Sequence, residues 1–129
     1  MNIVITGASR GIGQAVCQYL MTLESEVHLL AISRSSISKP LPKGNPSSTI
    51  TTLNADISCE PENIVNHINQ QLKWKNTHGI LHNAGTMLNK PFPQTTSQDI
   101  RSIFETNTIA PFILTQHLLP LLQRAKSSH

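Results

Sequence analysis

The sequence predicts a single α/β domain over residues 1–129, built on a doubly wound parallel sheet, and three observations support this. Segments typical of strands alternate with segments typical of helices, as in βαβ units. The first apolar run, Ile3–Ile5, leads directly into a glycine-rich turn and then into a helical pattern. Hydrophobic residues make up 38% of the chain, which is enough to bury a core in one domain of this length.

Hydrophobic periodicity, together with turn and cap residues, predicts four strands and three helices. We expect the strands near residues 2–6, 26–32, 49–54 and 78–82, in the sheet order 3-2-1-4, and the helices near 11–23, 60–73 and 96–124. Residues 35–48 are rich in Ser, Pro, Lys and Gly, so they are predicted to form a loop where a crossover helix usually lies. Residues 125–129 are expected to fray.

The predicted helices have apolar residues at helical spacing, and these define their buried faces. They are Ile12, Ala15, Val16, Tyr19, Leu20 and Leu23 in the first helix, Ile64, Val65, Ile68 and Leu72 in the second, and Ile100, Ile103, Phe104, Ala110 and Leu114 in the last. Glu60, Pro61 and Glu62 suit the first turn of the second helix, because proline and acids are favoured there. Thr96 and Asp99 have the spacing of a capping box for the last helix.

Pro111 lies inside the last predicted helix. It has no N–H to donate to the carbonyl of Asn107, so the helix is expected to kink there. Two interpretations remain open for Asn107. The freed carbonyl could hold an ordered water in a cleft, or the proline could produce only a packing kink beside a solvated amide.

The segment Thr6–Gly13 reads Thr-Gly-Ala-Ser-Arg-Gly-Ile-Gly between a buried strand and a helix. Backbone N–H groups at a helix start have no partner within the helix, and the helix dipole favours negative charge there. Gly7, Gly11 and Gly13 can serve in order the tight turn, the approach of a diphosphate and the packing of helix on strand. The sequence therefore predicts a dinucleotide-binding turn, with a purely structural turn as the alternative.

The second strand is followed by Ser33 and Arg34, where an acid would bind a ribose 2′-hydroxyl. Two guanidinium groups, from Arg10 and Arg34, suit a 2′-phosphate instead and favour NADP(H) over NAD(H), although NAD(H) stays possible. The alternative is that both are solvated loop arginines.

The third and fourth predicted strands also end in candidate site residues. After the third strand, Asp56 can accept from an adenine amino group, cap the following helix, or do both through different oxygens. The fourth strand is followed by the small residues Asn83, Ala84 and Gly85. They either let the backbone pass close beside the cofactor or form an ordinary turn.

Charge and composition argue against several other classes of protein. The net charge is +3, but the basic residues are scattered apart from one loose group around the glycine turn, and aromatic residues make up only 4%, so we expect no nucleic-acid partner. No apolar run approaches the ~18 residues that span a bilayer, so we expect no membrane association.

His78 and His82 would lie about 13 Å apart in a strand, and no Cys/His cluster exists, so no metal site is predicted. Cys17 and Cys59 are expected to be free thiols, and with no visible secretory signal they predict a cytoplasmic protein.

Together these positions resemble the short-chain dehydrogenase/reductase family of the classical type. The resemblance rests on Thr6–Gly13, Asp56, Asn83-Ala84-Gly85 and Asn107, and it covers essentially the whole chain. It implies a Rossmann-like fold and hydride transfer between a nicotinamide cofactor and a small carbonyl or alcohol. It also implies that Asn107 is the catalytic asparagine, whose main-chain carbonyl holds a relay water. The residues implied to line the cofactor are Gly7, Ser9, Arg10, Ile12, Asp56, Ile57, Asn83 and Ala84.

The chain departs from the family pattern in ways that matter for its activity. His82 stands where an asparagine is usual, and the loop 35–48 replaces a helix. The family's Ser and Tyr-x-x-x-Lys residues are missing, since the one tyrosine, Tyr19, is followed four residues later by Leu23. We therefore expect a truncated, amino-terminal part of a reductase that has no meaningful turnover alone, because general acid–base help is typically worth ~10²–10⁴ in rate.

A non-catalytic nucleotide-binding or protein-interaction module is the alternative function. The fourth strand would form an apolar sheet edge, and the last helix would show Phe112, Ile113, Leu118 and Leu121 without full cover. Unpaired edges favour association, so we expect the chain to form a homo-oligomer or to associate through this edge and the last helix.

Overall fold

The computed structural model describes residues 1–37, 42, 44–59 and 61–125. Its sheet contains the strands β1 (Asn2–Thr6), β2 (His28–Ser33), β3 (Thr49–Asn54) and β4 (Gly79–Leu81). All three neighbouring pairs are parallel and the order is β3-β2-β1-β4. This confirms the predicted Rossmann-like α/β fold and its strand order.

The helices are α1 (Gly11–Leu20), α2 (Pro61–His67), α3 (Ser97–Phe104) and α4 (Ala110–Leu122). A π-helical segment, Ile68–Leu72, continues α2, and a second one, Glu105–Ile109, joins α3 to α4. The single helix predicted over residues 96–124 is therefore two α-helices joined by a π-helical turn. Within this turn the N–H of Ala110 donates to the carbonyl of Glu105, five residues earlier. The turn immediately precedes Pro111, whose ring and missing N–H disfavour regular α-helical bonding.

The two faces of the sheet bury two separate cores, as expected for helices on both sides. Val4, Leu30 and Ile32 belong to a cluster with α2 and α4, whereas Ile5, Leu29 and Ala31 pack in a cluster with Cys17 of α1. Successive strand residues point to opposite faces, so β1 and β2 need apolar residues at nearly every position. This requirement explains their continuous apolar runs.

The buried face of α1 matches the predicted one only in part, since Val16, Leu20 and Leu23 pack partly buried against the core. Its buried residues are Gly13, Gln14 and Cys17, whereas Ile12 and Tyr19 are 75% and 66% exposed. Because Gly13 packs directly against the glycine turn, that contact sets the rotation of the helix and overrides the apolar spacing. The helix also ends at Leu20, three residues earlier than predicted, and the next residue, Met21, is buried.

The exposure predicted for the last helix is partly wrong. Leu118 and Leu121 are buried rather than exposed, because they pack in one cluster with Ile64 and Ile68. Ile64 and Ile68 of the second helical segment and Ala110 and Leu114 of α4 are buried, as predicted. In α3, two residues expected to face the sheet are largely exposed instead, namely Ile100 and Phe104.

Several local predictions are confirmed. Pro61 begins α2 with Glu62 in its first turn, and Thr96 and Asp99 form a reciprocal capping box for α3. Glu60, residues 38–41, Lys43 and the tail 126–129 lie outside the described residues. The described part of the segment 35–48 contains neither helix nor strand. Among the described residues, no helix has both the length and the apolar character needed to cross a bilayer.

Candidate functional site

A cleft of about 180 Å³ opens at the carboxyl edge of the sheet, where the glycine turn meets the loops that follow the other strands. Ligands of open parallel sheets bind at this edge. Most of the residues predicted from the sequence line this cleft, together with Ala55 and Thr106, which the sequence did not single out. The lining residues are Gly7, Arg10, Arg34, Ala55, Asp56, Ile57, Asn83, Ala84, Gly85 and Thr106.

The three glycines of the turn have distinct geometries. Gly7 and Gly11 have φ angles of +68° and +56°, in the left-handed region that favours glycine. A Cβ at Gly7 would lie 2.8 Å from the Ala84 backbone, and one at Gly13 would lie 2.5 Å from Asn83 Nδ2. A Cβ at Gly11 would meet nothing within 4 Å, so the space in front of Gly11 is open. Gly7 and Gly13 thus permit close packing, and Gly11 leaves room for a ligand.

The start of α1 offers unpaired donors beside this open space. Arg10 is extended at the N-cap position, and its side chain makes no hydrogen bond that caps the helix. The neighbouring Ser9 accepts a hydrogen bond at 3.1 Å from the Ser35 hydroxyl, which ties the turn to the loop after β2. Ile12, by contrast, is not among the residues that line the cleft. Uncapped N–H groups at a helix start are suited to bind an anion.

Thr6 connects the glycine turn to the end of β4. Its buried hydroxyl accepts hydrogen bonds from the N–H groups of Asn83 and Ala84, both at 3.1 Å. In return, the Asn83 amide donates to the carbonyls of Gly7 at 3.0 Å and Thr6 at 3.3 Å. This role of Thr6 was not predicted from the sequence, although a threonine that ends a buried strand just before a glycine turn is a usable signal.

Asp56 caps the turn that follows β3. Its Oδ1 accepts hydrogen bonds from the Ser58 N–H at 3.0 Å and from the Ser58 hydroxyl at 2.6 Å. Its Oδ2 lies 4.0 Å from Nη1 of Arg34, whose side chain is 75% exposed. The Ser58 hydrogen bonds, helped by the nearby guanidinium, lower the pKa of Asp56. The two carboxylate oxygens therefore face different partners, and the pair with Arg34 was not predicted.

Asn107 lies in the π-helical turn, and its side chain binds the loop after β4. Its Oδ1 accepts from the Thr86 N–H and its Nδ2 donates to the Thr86 carbonyl, both at 2.8 Å. Although Asn107 is exposed, its amide makes both of these hydrogen bonds to the backbone of Thr86. These two hydrogen bonds hold the π-helical turn next to Gly85 and Thr106, which line the cleft.

His82 connects the end of β4 to α4. Its Nε2 lies 2.8 Å from the Thr115 hydroxyl, which itself donates to the Pro111 carbonyl at 2.8 Å. Because the Thr115 hydroxyl donates its one proton to the Pro111 carbonyl, it accepts a hydrogen bond from the Nε2–H of His82. Burial lowers the pKa of His82, which favours this neutral form.

The family of the chain follows from a comparison with known proteins. All 129 residues match the family model described as short chain dehydrogenase. The chain belongs to the short-chain dehydrogenase family.

Two curated proteins illustrate how this short-chain dehydrogenase chain relates to others. A tropinone reductase homologue of Arabidopsis thaliana is 30% identical over 130 residues, which cover 98% of this chain and 48% of that protein. An L-xylulose reductase of Caenorhabditis elegans is 30% identical over 123 residues, which cover 89% of this chain and 45% of the relative. The chain thus spans about half the length of the curated relatives it matches.

Solved structures agree with the short-chain dehydrogenase assignment. An NADPH-bound carbonyl reductase from chicken fatty liver superposes with a TM-score of 0.80 at 25% identity, covering 96% of this chain and 52% of that one. The Sniffer protein of Caenorhabditis elegans gives a TM-score of 0.82 at 25% identity, covering 99% of this chain and 55% of that one. The predicted resemblance is confirmed.

Proposed function

We propose that the chain forms the cofactor-binding part of an NADP(H)-dependent oxidoreductase, which transfers hydride to or from a small carbonyl or alcohol. One observation carries this proposal. The glycine turn and two arginines, Arg10 and Arg34, open onto the same cleft at the carboxyl edge of the sheet. The carbonyl reductase from chicken fatty liver, which was solved with NADPH bound, is a structural neighbour in support.

The residues present fit a dinucleotide. The open space in front of Gly11 and the uncapped start of α1 suit a diphosphate, which Gly7, Ser9, Gly11, Ile12 and Gly13 would hold through their backbone. We assign Asp56 and Ile57 to the adenine end. Asn83, Ala84 and Gly85 would lie along the path towards the nicotinamide.

We propose NADP(H) as the preferred cofactor because of the charges around the cleft. No acid lies at the end of β2 to bind a ribose 2′-hydroxyl, since Ser33 is the last residue of the strand and Arg34 follows it. A phosphomonoester is best bound by guanidinium groups, which donate in pairs to its oxygens. NAD(H) stays possible, because the Asp56 carboxylate offsets part of this positive charge.

Bound nicotinamide would supply or accept the hydride. We propose that the Asn107 carbonyl holds a water for proton relay, because Pro111 has no N–H to donate to it and Thr86 fixes the side chain. We further propose that these residues alone bind cofactor without turnover. Tyr19, the one tyrosine, is exposed on α1 with Leu23 four residues later, so it is not paired with a lysine at the family spacing.

Paired titrations with NADPH and NADH test the proposal. For Arg34→Ala we expect NADPH affinity to fall about 10-fold or more, since a hydrogen bond to a charged group is worth about 1.5–3 kcal/mol, while NADH affinity changes little. Arg10→Ala should act in the same direction. The matched control is Arg124→Ala, because Arg124 follows α4, whose end meets the amino-terminal side of β4. Equal affinity for both cofactors, unchanged by Arg34→Ala, would refute the 2′-phosphate argument.

A second proposal concerns association of the chain. An apolar groove runs along the start of α4 beside His82, and Phe112 at its side is 71% exposed. Among the described strands, β4 pairs only with β1, so its other edge is open. We propose a homo-oligomer, or a partner protein, at this edge and helix. Sedimentation of the wild type and Phe112→Ser tests the homo-oligomer. We expect the wild type to associate and Phe112→Ser to associate less, and a monomer for both at all concentrations would contradict the homo-oligomer.

We also propose a cytoplasmic location. Both cysteines are free, Cys17 buried and Cys59 exposed, as is usual for proteins of a reducing compartment. Microscopy of a fluorescently tagged protein tests this directly.

A further inference from the structure

The charges of the described cleft are unevenly arranged. Two cations, Arg10 and Arg34, and one anion, Asp56, are among its lining residues. The anion lies next to the second cation, with Oδ2 of Asp56 4.0 Å from Nη1 of Arg34. A ligand phosphate that needs Arg34 must therefore bind beside a carboxylate.

The two partners of this pair differ in how firmly they are held. Asp56 is fixed through Oδ1, which accepts two hydrogen bonds from Ser58, so its Oδ2 stays directed towards Arg34. These bonds also keep the pKa of Asp56 below its ordinary value, and the carboxylate is charged at neutral pH. The Arg34 side chain is 75% exposed and presents a guanidinium with five donors. The cation can thus exchange partners, whereas the anion cannot move away.

We propose that Asp56 is a specificity-determining residue, whose carboxylate competes with the cofactor 2′-phosphate for Arg34 and so limits the preference for NADP(H) over NAD(H). This inference rests on the proposed function. A phosphomonoester carries about −1.5 to −2 charges at pH 7, and its binding depends on the Arg34 guanidinium, whose charge Asp56 partly neutralises. NAD(H) has an uncharged hydroxyl at this position and depends far less on the Arg34 charge. The same carboxylate therefore weakens one cofactor selectively.

Asp56→Asn is the test, because an asparagine keeps an oxygen for Ser58 and removes the charge. We expect the ratio of the NADH to the NADPH dissociation constant to rise about three- to fivefold, since an exposed ion pair is worth up to about 1 kcal/mol. In an Arg34→Ala background the same substitution should leave the ratio unchanged. Glu24→Gln is the charge-matched control, because Glu24 lies between α1 and the amino-terminal end of β2.

Other roles for Asp56 give different results. If Asp56 acts only on adenine, the Asp56→Asn variant changes the NADH and NADPH affinities by the same factor. If Asp56 only caps the turn, the stability of the variant falls while the ratio of the two dissociation constants stays constant. Either result, or a rise that persists in the Arg34→Ala background, overturns the inference. Asp56→Ser, whose hydroxyl can also cap, gives a second measurement should the asparagine variant fold poorly. Absence of binding to either cofactor would refute the proposed function itself, whereas Arg34-dependent NADPH binding with an unchanged ratio would refute this inference alone.

Discussion

Replacing Thr6 by valine tests how the glycine turn is held against the end of β4. The substitution keeps the shape of the side chain and removes the hydroxyl that accepts from the N–H groups of Asn83 and Ala84. Thr6 is completely buried, so no water can take the place of the hydroxyl without rearrangement. The two N–H groups would then have no acceptor, and the end of β4 should separate from the glycine turn.

The expected loss follows from the cost of unsatisfied donors. A buried donor without a partner costs about 1–3 kcal/mol. Both N–H groups are partly buried, so we expect Thr6→Val to lower the free energy of unfolding by about 2–3 kcal/mol in total. Thr6→Ser keeps the hydroxyl and removes only a methyl group, which costs about 1 kcal/mol.

Urea unfolding followed by tryptophan fluorescence measures this difference. The chain contains one tryptophan, Trp74, which packs against the cluster of α2 and α4. The urea concentration at the unfolding midpoint should fall further for Thr6→Val than for Thr6→Ser. The slope of the free energy of unfolding against urea concentration should change little. The valine variant should also bind NADPH less tightly. If valine proves as stable as serine, the hydrogen bonds of Thr6 do not hold the two strand ends together, and the reasoning is refuted.

Three further predictions concern other parts of the chain. Gly13→Ala should abolish NADPH binding and lower the melting temperature, because its Cβ would lie 2.5 Å from Asn83 Nδ2; an unchanged melting temperature would contradict this packing. The pKa of Asp99 is lowered to about 2 by hydrogen bonds from Lys90 and Thr96, so its stabilising effect is present above its ordinary pKa and is lost as pH falls towards about 2. The melting temperatures of wild type and Asp99→Asn should therefore differ at pH 6 and converge near pH 2, and a difference independent of pH would exclude this ionisation. Burial raises the pKa of Cys17 to about 11, so Ellman's reagent should modify only Cys59 in the native protein and both thiols in urea. Rapid modification of both in the native state would show that α1 does not bury Cys17.

The sheet could be predicted from the sequence because its constraints are local. A strand buried on both faces needs an unbroken apolar run, and β1 and β2 contain such runs. The turn after β1 needs positive φ angles, which Gly7 and Gly11 adopt. Caps are likewise local, so the box formed by Thr96 and Asp99 was predictable from four residues.

The remaining features depend on contacts between distant segments. Rotation of α1 is set by the packing of Gly13 on Gly7, and helical spacing within α1 does not contain that information. Burial of Leu118 depends on α2, some fifty residues earlier in the chain. The pair between Arg34 and Asp56 joins loops after two different strands. Residue types therefore predicted which strand ends meet at the cleft, and only the structure gave the partners of its charged groups.

The most direct test of the account is an NADPH titration followed by backbone amide chemical shifts. The central claim is that the glycine turn and the start of α1 bind a dinucleotide phosphate at the carboxyl edge of the sheet. We predict saturable shifts at Gly7, Gly11, Gly13 and Arg34, with little change at Lys75, which lies near the amino-terminal ends of the strands. A folded sample whose glycine amides do not respond to NADPH or NADH would contradict the claim.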